Sequence, residues 1–343
     1  MKLAMALNYS GDFHADVTRI QELEKAGLDV VWVAEAYSYD AISQVGFLAA
    51  KTERVEIGTG IINVFSRTAT AIGQTAAGCD FVSDGRFILG LGASGPQVIE
   101  GFHGVPYEHP MPRIREVIEV CRMVWRREPV VYNGKTVQVP LPEGLGTGLG
   151  KPLKLINHPK RADIPVFWAS LMGKSVAETA KVANGWLPIF FDPEKFQQVW
   201  GDDLATGMKD RDPSLGPLQI SAGGMVAIGE DVEAMLDLAR PTFALYIGGM
   251  GAKGRNFYND LVREYGFEKE AEQIQDLYLE GRKDEAAALV PAELLEMCNL
   301  VGPEGHVRER IAAFAESGVT HLNVVPVGKD PVAIVRRLKE WTT

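Results

Sequence analysis

The stretch Asp29-Val30-Val31-Trp32-Val33-Ala34-Glu35 decides the fold of this 343-residue chain. Its five central residues are apolar and show none of the polar alternation of a strand with one face in water. Such runs are typical of parallel strands that are covered on both faces. The first four runs of this kind begin near Leu3, Val30, Ile57 and Phe87, at steps of 27, 27 and 30 residues. This spacing accommodates a strand, a turn and a crossover helix, so it predicts repeating βα units.

Eight apolar runs recur along the chain, at residues 3–8, 29–35, 55–63, 86–92, 165–170, 186–191, 218–226 and 320–326. Helical periodicity separates them, for example after Pro112 and after Asp330-Pro331. Asp16 is predicted to cap the first helix and Gly27 to end it. Eight alternating units favour an α/β fold of the closed (β/α)8 or TIM-barrel type over an open doubly wound sheet, because the eighth strand can then pair with the first.

The sequence predicts one barrel domain over residues 1–343 with two insertions. The first, at about 129–165, holds a predicted hairpin at 130–137 and a Gly-rich segment at 144–150. Asn133-Gly134 favours a type I′ turn in that hairpin. The second insertion, at about 241–301, is predicted to be largely helical.

Composition excludes several classes of function. Lys and Arg number 35 against 45 Asp and Glu, for a net charge of −10, and no basic run exceeds two residues, so a nucleic-acid partner is not expected. The chain contains neither a signal-peptide core nor about 18 consecutive apolar residues, so we expect a cytoplasmic protein without a membrane partner. Three dispersed cysteines and six dispersed histidines fit neither a disulfide framework nor a metal site.

One nucleotide-binding motif is present but lacks its context. Residues 90–95, GLGASG, match the dinucleotide-binding fingerprint after a strand. The fingerprint requires a helix at its third glycine. The Gly- and Pro-rich residues that follow predict no helix before about Pro112, so an NAD-type site is disfavoured.

The candidate site residues follow the ends of the strands, where (β/α)8 barrels carry their chemistry. Glu35 places a carboxylate at the barrel rim, either as a structural hydrogen-bond acceptor or as an acid or base with a shifted pKa. Residues 169–175, ASLMGKS, precede a helix and predict an anion site in which Ser170 and Lys174 add donors to the free N–H groups. An ordinary capped turn is the alternative. Tyr9 is among the candidate positions because it follows the first apolar run.

Five stretches are more specific: VWVAEAY at 31–37, SGPQVIEGFHG at 94–104, GTGLGKP at 146–152, NGWLP at 184–188 and YIGGMG at 246–251. On these residues the chain resembles the bacterial-luciferase-like barrels, and within them an uncharacterised, actinobacterial-type branch of oxidoreductases that use the deazaflavin coenzyme F420. The likeness covers nearly the whole chain.

The resemblance implies that the deazaflavin lies across the barrel mouth, with its ring near the third and fourth strands. It places a non-prolyl cis peptide behind the ring, at Gly60-Ile61. Glu35 takes the position of the family's acidic residue at the end of strand two. By the same likeness, Ser94, Gly95 and Gln97 lie near the ring or ribityl chain, and Ala169, Ser170, Leu171, Met172 and Gly173 lie at the phosphate. Asn63 is a further candidate for cofactor binding. Arg67 and Lys174 are the candidates for the anionic tail, because the net charge of −10 would otherwise repel it.

One departure from the family concerns proton transfer. Several members have a histidine directly after the acidic residue, and this chain has Ala36 there. Glu35 and Tyr37 are therefore the catalytic candidates, and the resemblance does not decide between them.

The resemblance predicts an F420-dependent oxidoreductase that transfers a hydride between the deazaflavin and a small organic substrate, which the sequence does not identify. Two alternatives stay open: an FMN-dependent luciferase-like monooxygenase and a non-catalytic F420-binding protein. A homodimer is expected from the likeness alone.

Overall fold

The computed structural model describes residues 1–8 and 11–343, so the candidate Tyr9 lies outside the described residues. The strands of this part of the chain are β1 Lys2–Ala6, β2 Val30–Val33, β3 Glu56–Thr59, β4 Ile62–Asn63, β5 Phe87–Gly92, β6 Tyr132–Asn133, β7 Gln138–Val139, β8 Val166–Trp168, β9 Gly185–Trp186, β10 Gln219–Ile228, β11 Leu300–Gly302 and β12 His321–Pro326.

Eight parallel strand positions close into a barrel. The wall runs in the order β1, β2, β3, β5, β8, β9, β10 and β12, and β4 continues β3 along β5. β12 pairs with both β1 and β10, which closes the wall. The predicted (β/α)8 barrel is therefore confirmed.

Two of the predicted strands differ in extent. The third is interrupted after Thr59, where the backbone bends at Gly60-Ile61 before β4. The sixth was predicted at 186–191 but is a strand only at Gly185–Trp186. Phe190 has a left-handed φ of 53° and stacks on Phe243, and Phe191 stacks on Trp200. These apolar side chains fill the space between loops and helices. The prediction, which rested on hydrophobicity, therefore made the strand too long.

Helices surround the barrel and form most of the second insertion. They are α1 Phe13–Ala26, α2 Ala41–Lys51, α3 Ala69–Val82, α4 Pro96–Gly101, α5 Pro110–Trp125, α6 Lys174–Val182, α7 Phe196–Lys209, α8 Arg240–Ala244, α9 Phe257–Glu264, α10 Glu268–Leu279, α11 Lys283–Ala288, α12 Ala292–Cys298, α13 Glu304–Glu316 and α14 Pro331–Thr342. Short 3₁₀ helices span Pro213–Leu215 and Glu233–Ala239, and a π-helix spans Leu245–Gly249. No helix within the described ranges is both long and apolar enough to cross a bilayer.

Helix ends follow local side-chain chemistry. Asp330 caps α14 by accepting from the backbone N–H of Ala333, as the sequence predicts. The cap of α1 is Asp12 rather than the predicted Asp16, because the Asp12 carboxylate accepts from the N–H groups of His14 and Ala15 while Asp16 lies in the first turn. Gly27 ends this helix with a φ of 113°.

The hairpin of the first insertion has a different turn from the predicted one. Tyr132 pairs with Val139 and Asn133 with Gln138, so Asn133 is a strand residue and the turn spans 134–137. The carboxylate of Glu116 on α5 explains why the turn lies at 134–137. It accepts from the N–H groups of Lys135, Thr136 and Val137 and from the Thr136 hydroxyl. Burial raises the pKa of Glu116, but these hydrogen bonds outweigh burial and leave it below its usual value.

The segment at about 241–301 is largely helical, and it also contains β11. This strand pairs in parallel with the end of β10, through Val226 and Leu300 and through Ile228 and Gly302. The insertion is thus joined to the carboxyl end of the barrel wall.

Candidate functional site

The carboxyl ends of β2, β3 and β5 meet around a backbone bend. The peptide bond Gly60-Ile61 is cis, as the family resemblance implies. The Gly60 N–H donates to the Val33 carbonyl oxygen at 2.7 Å, and the Glu35 N–H donates to the Ile61 carbonyl oxygen at 3.2 Å. These two bonds join the bend to the end of β2.

β3 and β5 approach each other closely behind this bend. The Thr59 hydroxyl donates to the Gly90 carbonyl oxygen at 2.8 Å and accepts from the Gly90 N–H at 2.9 Å. An ideal Cβ atom on Gly90 would lie only 1.7 Å from the Thr59 carbonyl oxygen. Glycine is therefore required at position 90, for the packing of β3 on β5.

Glu35 and Arg67 form a two-pronged ion pair at the rim. Arg67 Nη1 donates to Glu35 Oε1 at 2.7 Å and Nη2 donates to Oε2 at 2.9 Å, with side-chain exposures of 21% for Arg67 and 7% for Glu35. Oε2 also accepts from the Ala41 N–H, at the first residue of α2. The hydrogen bond to Glu35 raises the pKa of Arg67.

This pair changes what can be expected of both residues. Of the two roles weighed for Glu35, the geometry favours the structural acceptor, because three donors occupy its carboxylate. Arg67 was a candidate for the anionic tail of a cofactor, but its guanidinium is directed to Glu35. Tyr37, the other catalytic candidate, lies on the loop before α2 with 64% of its surface exposed.

The end of β4 is organised by Asn63, whose exposed fraction is 1%. Its side-chain oxygen accepts from the N–H groups of Phe65 and Ser66, at 3.0 and 2.8 Å. The Phe65 ring stacks on Tyr107, which comes from the loop after β5. Asn63 thus holds the chain that turns from β4 toward Arg67.

The loop after β5 begins with Ser94 in a left-handed conformation, with φ 58°. The Ser94 carbonyl oxygen accepts from the Tyr107 hydroxyl at 3.0 Å, and burial raises the pKa of Tyr107 to about 12. Gly95 is the N-cap of α4, which begins at Pro96, and Gln97 is exposed on that helix. The prediction of no helix before Pro112 was wrong, because proline at the first turn has no N–H that needs a partner. A helix therefore does follow the third glycine of this stretch, but it has only six residues.

The segment from Ala169 to Lys174 connects β8 to α6. The backbone N–H groups of Leu171, Met172, Gly173 and Lys174 have no acceptor among the described residues. Gly173 adopts φ 48° and ψ −126°, which turns the chain into the helix. Lys174 is exposed at the first helical residue.

The Ser170 hydroxyl does not join the backbone N–H groups of residues 171–174 as a donor for an anion. The side chain is buried, and its oxygen lies 2.8 Å from the Thr179 hydroxyl oxygen. The Ser170 and Leu171 carbonyl oxygens accept from the indole N–H groups of Trp186 and Trp200. Any anion at this turn would therefore be bound by backbone N–H groups and by Lys174.

These loops converge around Gly92. An ideal Cβ atom on Gly92 would lie 3.0 Å from the Ile61 side chain and 3.7 Å from Cβ of Ala169. The second insertion also reaches this region, since the Met250 carbonyl oxygen would lie 4.0 Å from a Cβ atom on Gly95. Sequence reasoning did not place the insertion at the site, although the stretch 246–251 had been singled out as a family feature.

The sequence analysis missed a buried carboxyl group, that of Asp192, which follows β9. Asp192 is 1% exposed and accepts from the Glu194 N–H at 3.0 Å, while the Glu194 carboxylate pairs with Arg310 of α13. The pKa of Asp192 is raised to about 7, chiefly by burial and also by a hydrogen bond with the Glu194 side chain. The Tyr265 hydroxyl donates to the Phe190 carbonyl oxygen, which ties this loop to the second insertion.

Replacement of Asp192 by asparagine should change how stability depends on pH. The folded-state pKa lies above the unfolded value of about 3.9, so protonation of Asp192 favours the folded state fully below about pH 4, and this contribution is lost as pH rises through about 7. The amide of the variant resembles the protonated acid at every pH. We expect D192N to match the wild type near pH 4 and to exceed it by about 1 kcal/mol or more at pH 8.

Urea denaturation at pH 4, 6 and 8 measures this difference. Asp210→Asn, at an exposed ion pair with Lys181, is the control and should show no such trend. A difference between D192N and the wild type that stays constant over this range would contradict the assignment.

Comparison with known proteins places the chain in a family. The family model described as luciferase-like monooxygenase matches residues 1–321, so the chain belongs to the luciferase-like monooxygenase family. A protein of Mycobacterium tuberculosis, provisionally named a coenzyme F420-dependent oxidoreductase, is 40% identical over 331 residues, which cover 94% of each chain.

Two solved structures show the same fold. The coenzyme F420-dependent tetrahydromethanopterin reductase from Methanopyrus kandleri has a TM-score of 0.81 at 21% identity, covering 99% of this chain and 97% of that one. The oxygenating constituent of 3,6-diketocamphane monooxygenase from Pseudomonas putida, in complex with FMN, has a TM-score of 0.65 at 16% identity, covering 99% and 96%.

Proposed function

We propose that this protein is an oxidoreductase that uses coenzyme F420 and transfers a hydride between the deazaflavin and a small organic substrate. The observation that carries the proposal is the 40% identity, over 94% of both chains, to a protein named for this cofactor. Membership of the luciferase-like family and the architecture of the barrel mouth support it.

The residues at the mouth fit such a cofactor. F420 has a flat ring and a phosphate-containing tail, and it supplies a carbon centre that accepts or donates a hydride. The four unpaired N–H groups from Leu171 to Lys174 lie at the start of a nine-residue helix, where the helix dipole favours a phosphate. A Cβ atom at Gly92 would lie 3.0 Å from the Ile61 side chain, so glycine at this position lets the bend at Gly60-Ile61 pack against the end of β5.

The chain's own residues would hold and orient the ligand. The Glu35–Arg67 pair fixes the loop between β4 and α3 against the start of α2. The Ser94–Tyr107 hydrogen bond fixes the loop after β5. Glu35 positions the loop between β4 and α3 and the start of α2, and Tyr37 is a candidate for contact with a substrate. Asn63, Ser94, Gly95 and Gln97 are proposed to line the ring and ribityl chain.

FMN is the alternative cofactor. The same turn would bind its phosphate, and a protein of similar fold has been solved with FMN. Titration of the purified protein with each compound distinguishes the two, because both ligands fluoresce. Quenching by the protein at micromolar F420 and none with FMN would support the proposal, whereas saturable FMN binding without F420 binding would overturn it. F420 binding with no turnover across a broad substrate panel would indicate a non-catalytic binding protein.

Gly173→Ala is expected to weaken F420 binding about tenfold. An L-residue at φ 48° and ψ −126° costs about 1–2 kcal/mol, and relaxation of the turn would misdirect its N–H groups. A Cβ atom there meets nothing within 4 Å, so steric clash is not the cause. Gly148→Ala, at φ 74° with equally open surroundings in the first insertion, is the matched control and should leave the Kd unchanged. Equal affinity of G173A and the wild type would argue against phosphate binding at this turn.

We also propose that residues 1–343 act as one barrel domain in a cytoplasmic homodimer. Exposed apolar side chains at the end of α3, Phe81 and Val82, are consistent with a covered surface. Light scattering at micromolar concentration tests the dimer, and a mass of one chain would contradict it.

A further inference from the structure

The side-chain amide of Asn63 has one orientation that its surroundings permit. Two backbone N–H groups, from Phe65 and Ser66, point at one side-chain atom, which must therefore be the acceptor Oδ1. The amide nitrogen Nδ2 is then directed away from the backbone. It lies 3.4 Å from Nε2 of His103, on the segment after α4.

This contact determines the tautomer of His103. An amide NH₂ group only donates, so Nε2 of the imidazole must accept and carry no proton. The proton of the neutral ring then lies on Nδ1. Among residues 1–8 and 11–343, Nδ1 of His103 has no hydrogen-bond partner, and the ring is half-buried. His103 thus presents a fixed N–H donor beside the end of β4.

Three other ionisable side chains at this part of the mouth form hydrogen bonds within the protein. Arg67 and Glu35 bind each other in two hydrogen bonds. The Tyr107 hydroxyl donates to the Ser94 carbonyl oxygen. His103 keeps its Nδ1 donor, for which the described residues provide no acceptor, beside Asn63 at the end of β4.

We propose that His103, oriented by Asn63, donates a hydrogen bond from Nδ1 to a carbonyl oxygen of the ligand bound at the barrel mouth. This inference rests on the proposed function. The oxygen belongs either to the deazaflavin ring or to the substrate carbon that exchanges the hydride. A neutral N–H donor suits an uncharged carbonyl, whereas a phosphate or carboxylate would pair better with a cation. His103 binds and polarises the carbonyl, and it gives up no proton.

Nitrogen-15 spectra of the histidine rings test the inference without turnover. The protein is labelled at its six histidines, and the His103 signals are assigned by their loss in His103→Gln. We expect the free protein to show the Nδ1–H tautomer at His103. Three additions are then compared: F420 alone, F420 with acetone as the smallest ketone probe, and inorganic phosphate.

The additions separate the possible oxygens. A shift of the Nδ1 signal with F420 alone assigns the acceptor to the ring carbonyl, and a shift that appears only when acetone is added assigns it to the substrate. A shift with phosphate alone, an Nε2–H tautomer in the free protein, or no shift with either F420 sample would overturn the inference. His158, which contacts Arg127 in the first insertion, is the internal control and should not shift.

Substitutions give a second measurement. His103→Phe should weaken binding of F420, or of acetone in the presence of F420, about three- to tenfold, because one hydrogen bond is lost. Asn63→Asp keeps the acceptor for Phe65 and Ser66 but replaces the donor to Nε2 with an acceptor, so the tautomer should reverse. His158→Phe should change neither property. A His103→Phe protein that binds both probes as the wild type does would contradict the role of His103.

Failure of this inference is distinguishable from failure of the proposed function. If F420 does not bind, both fail. If F420 binds the wild type with micromolar affinity and the His103 signals remain unchanged, only the inference fails.

Discussion

Replacement of Glu35 by glutamine should destabilise the protein by about 2–3 kcal/mol. The change removes the carboxylate that accepts two hydrogen bonds from Arg67 and one from the Ala41 N–H. It leaves a partly buried guanidinium opposite an amide. The estimate is below the value for a fully buried pair because Arg67 retains 21% exposure and can regain some solvent contact. Urea denaturation at pH 7 measures the effect.

A matched pair of variants tests whether burial is the cause. Asp210→Asn removes the charge of an exposed pair with Lys181 and should cost less than about 1 kcal/mol. Glu35→Gln combined with Arg67→Met should recover part of the lost stability, because no unpaired charge remains. A Glu35→Gln protein as stable as the wild type would show that the ion pair contributes nothing. F420 affinity should also fall, because the pair fixes the loop after β4.

We expect Gly90→Ala to destabilise the folded state more than an added methyl group at any other described glycine. A Cβ atom at this position would lie 1.7 Å from the backbone oxygen of Thr59, and no rotation of a side chain relieves a clash with backbone. β3 and β5 would have to separate and lose both hydrogen bonds between Thr59 and Gly90. We expect a loss of about 3 kcal/mol or more in the free energy of unfolding.

Gly46→Ala is the control for this substitution. Position 46 lies inside α2, and a Cβ atom there meets nothing within 4 Å. Alanine favours the helix over glycine, so this variant should gain up to about 1 kcal/mol. Similar midpoints for Gly90→Ala and Gly46→Ala in urea would contradict the close approach of β3 and β5.

Several local features followed directly from residue types. Asp330-Pro331 predicted the start of α14, and Gly27 predicted the end of α1. These features depend on side chains within one turn of the position concerned. The cis bond at Gly60-Ile61 came from likeness to a family and not from a pattern of residue types.

The misassigned features depend on residues distant in the chain. Asn133-Gly134 predicted a two-residue turn. The turn instead lies at 134–137, because Glu116 from α5 binds three of its backbone N–H groups. Phe190 and Phe191 were assigned to a strand, but their rings pack against Phe243 and Trp200.

The sequence by itself determined that eight βα units form a closed barrel, because the period of its apolar runs reports strand and helix lengths directly. It also predicted a site in the segments at the strand ends, whose loops converge around Gly92 in the structure. Only the tertiary structure decided the contacts within them: Arg67 binds Glu35, Ser170 is turned inward to Thr179, and Asn63 contacts His103. It also placed the buried Asp192 beside the ion pair of Glu194 and Arg310. The physical reason is that the availability of a polar group depends on its partners in space, and most of these partners come from other segments of the chain.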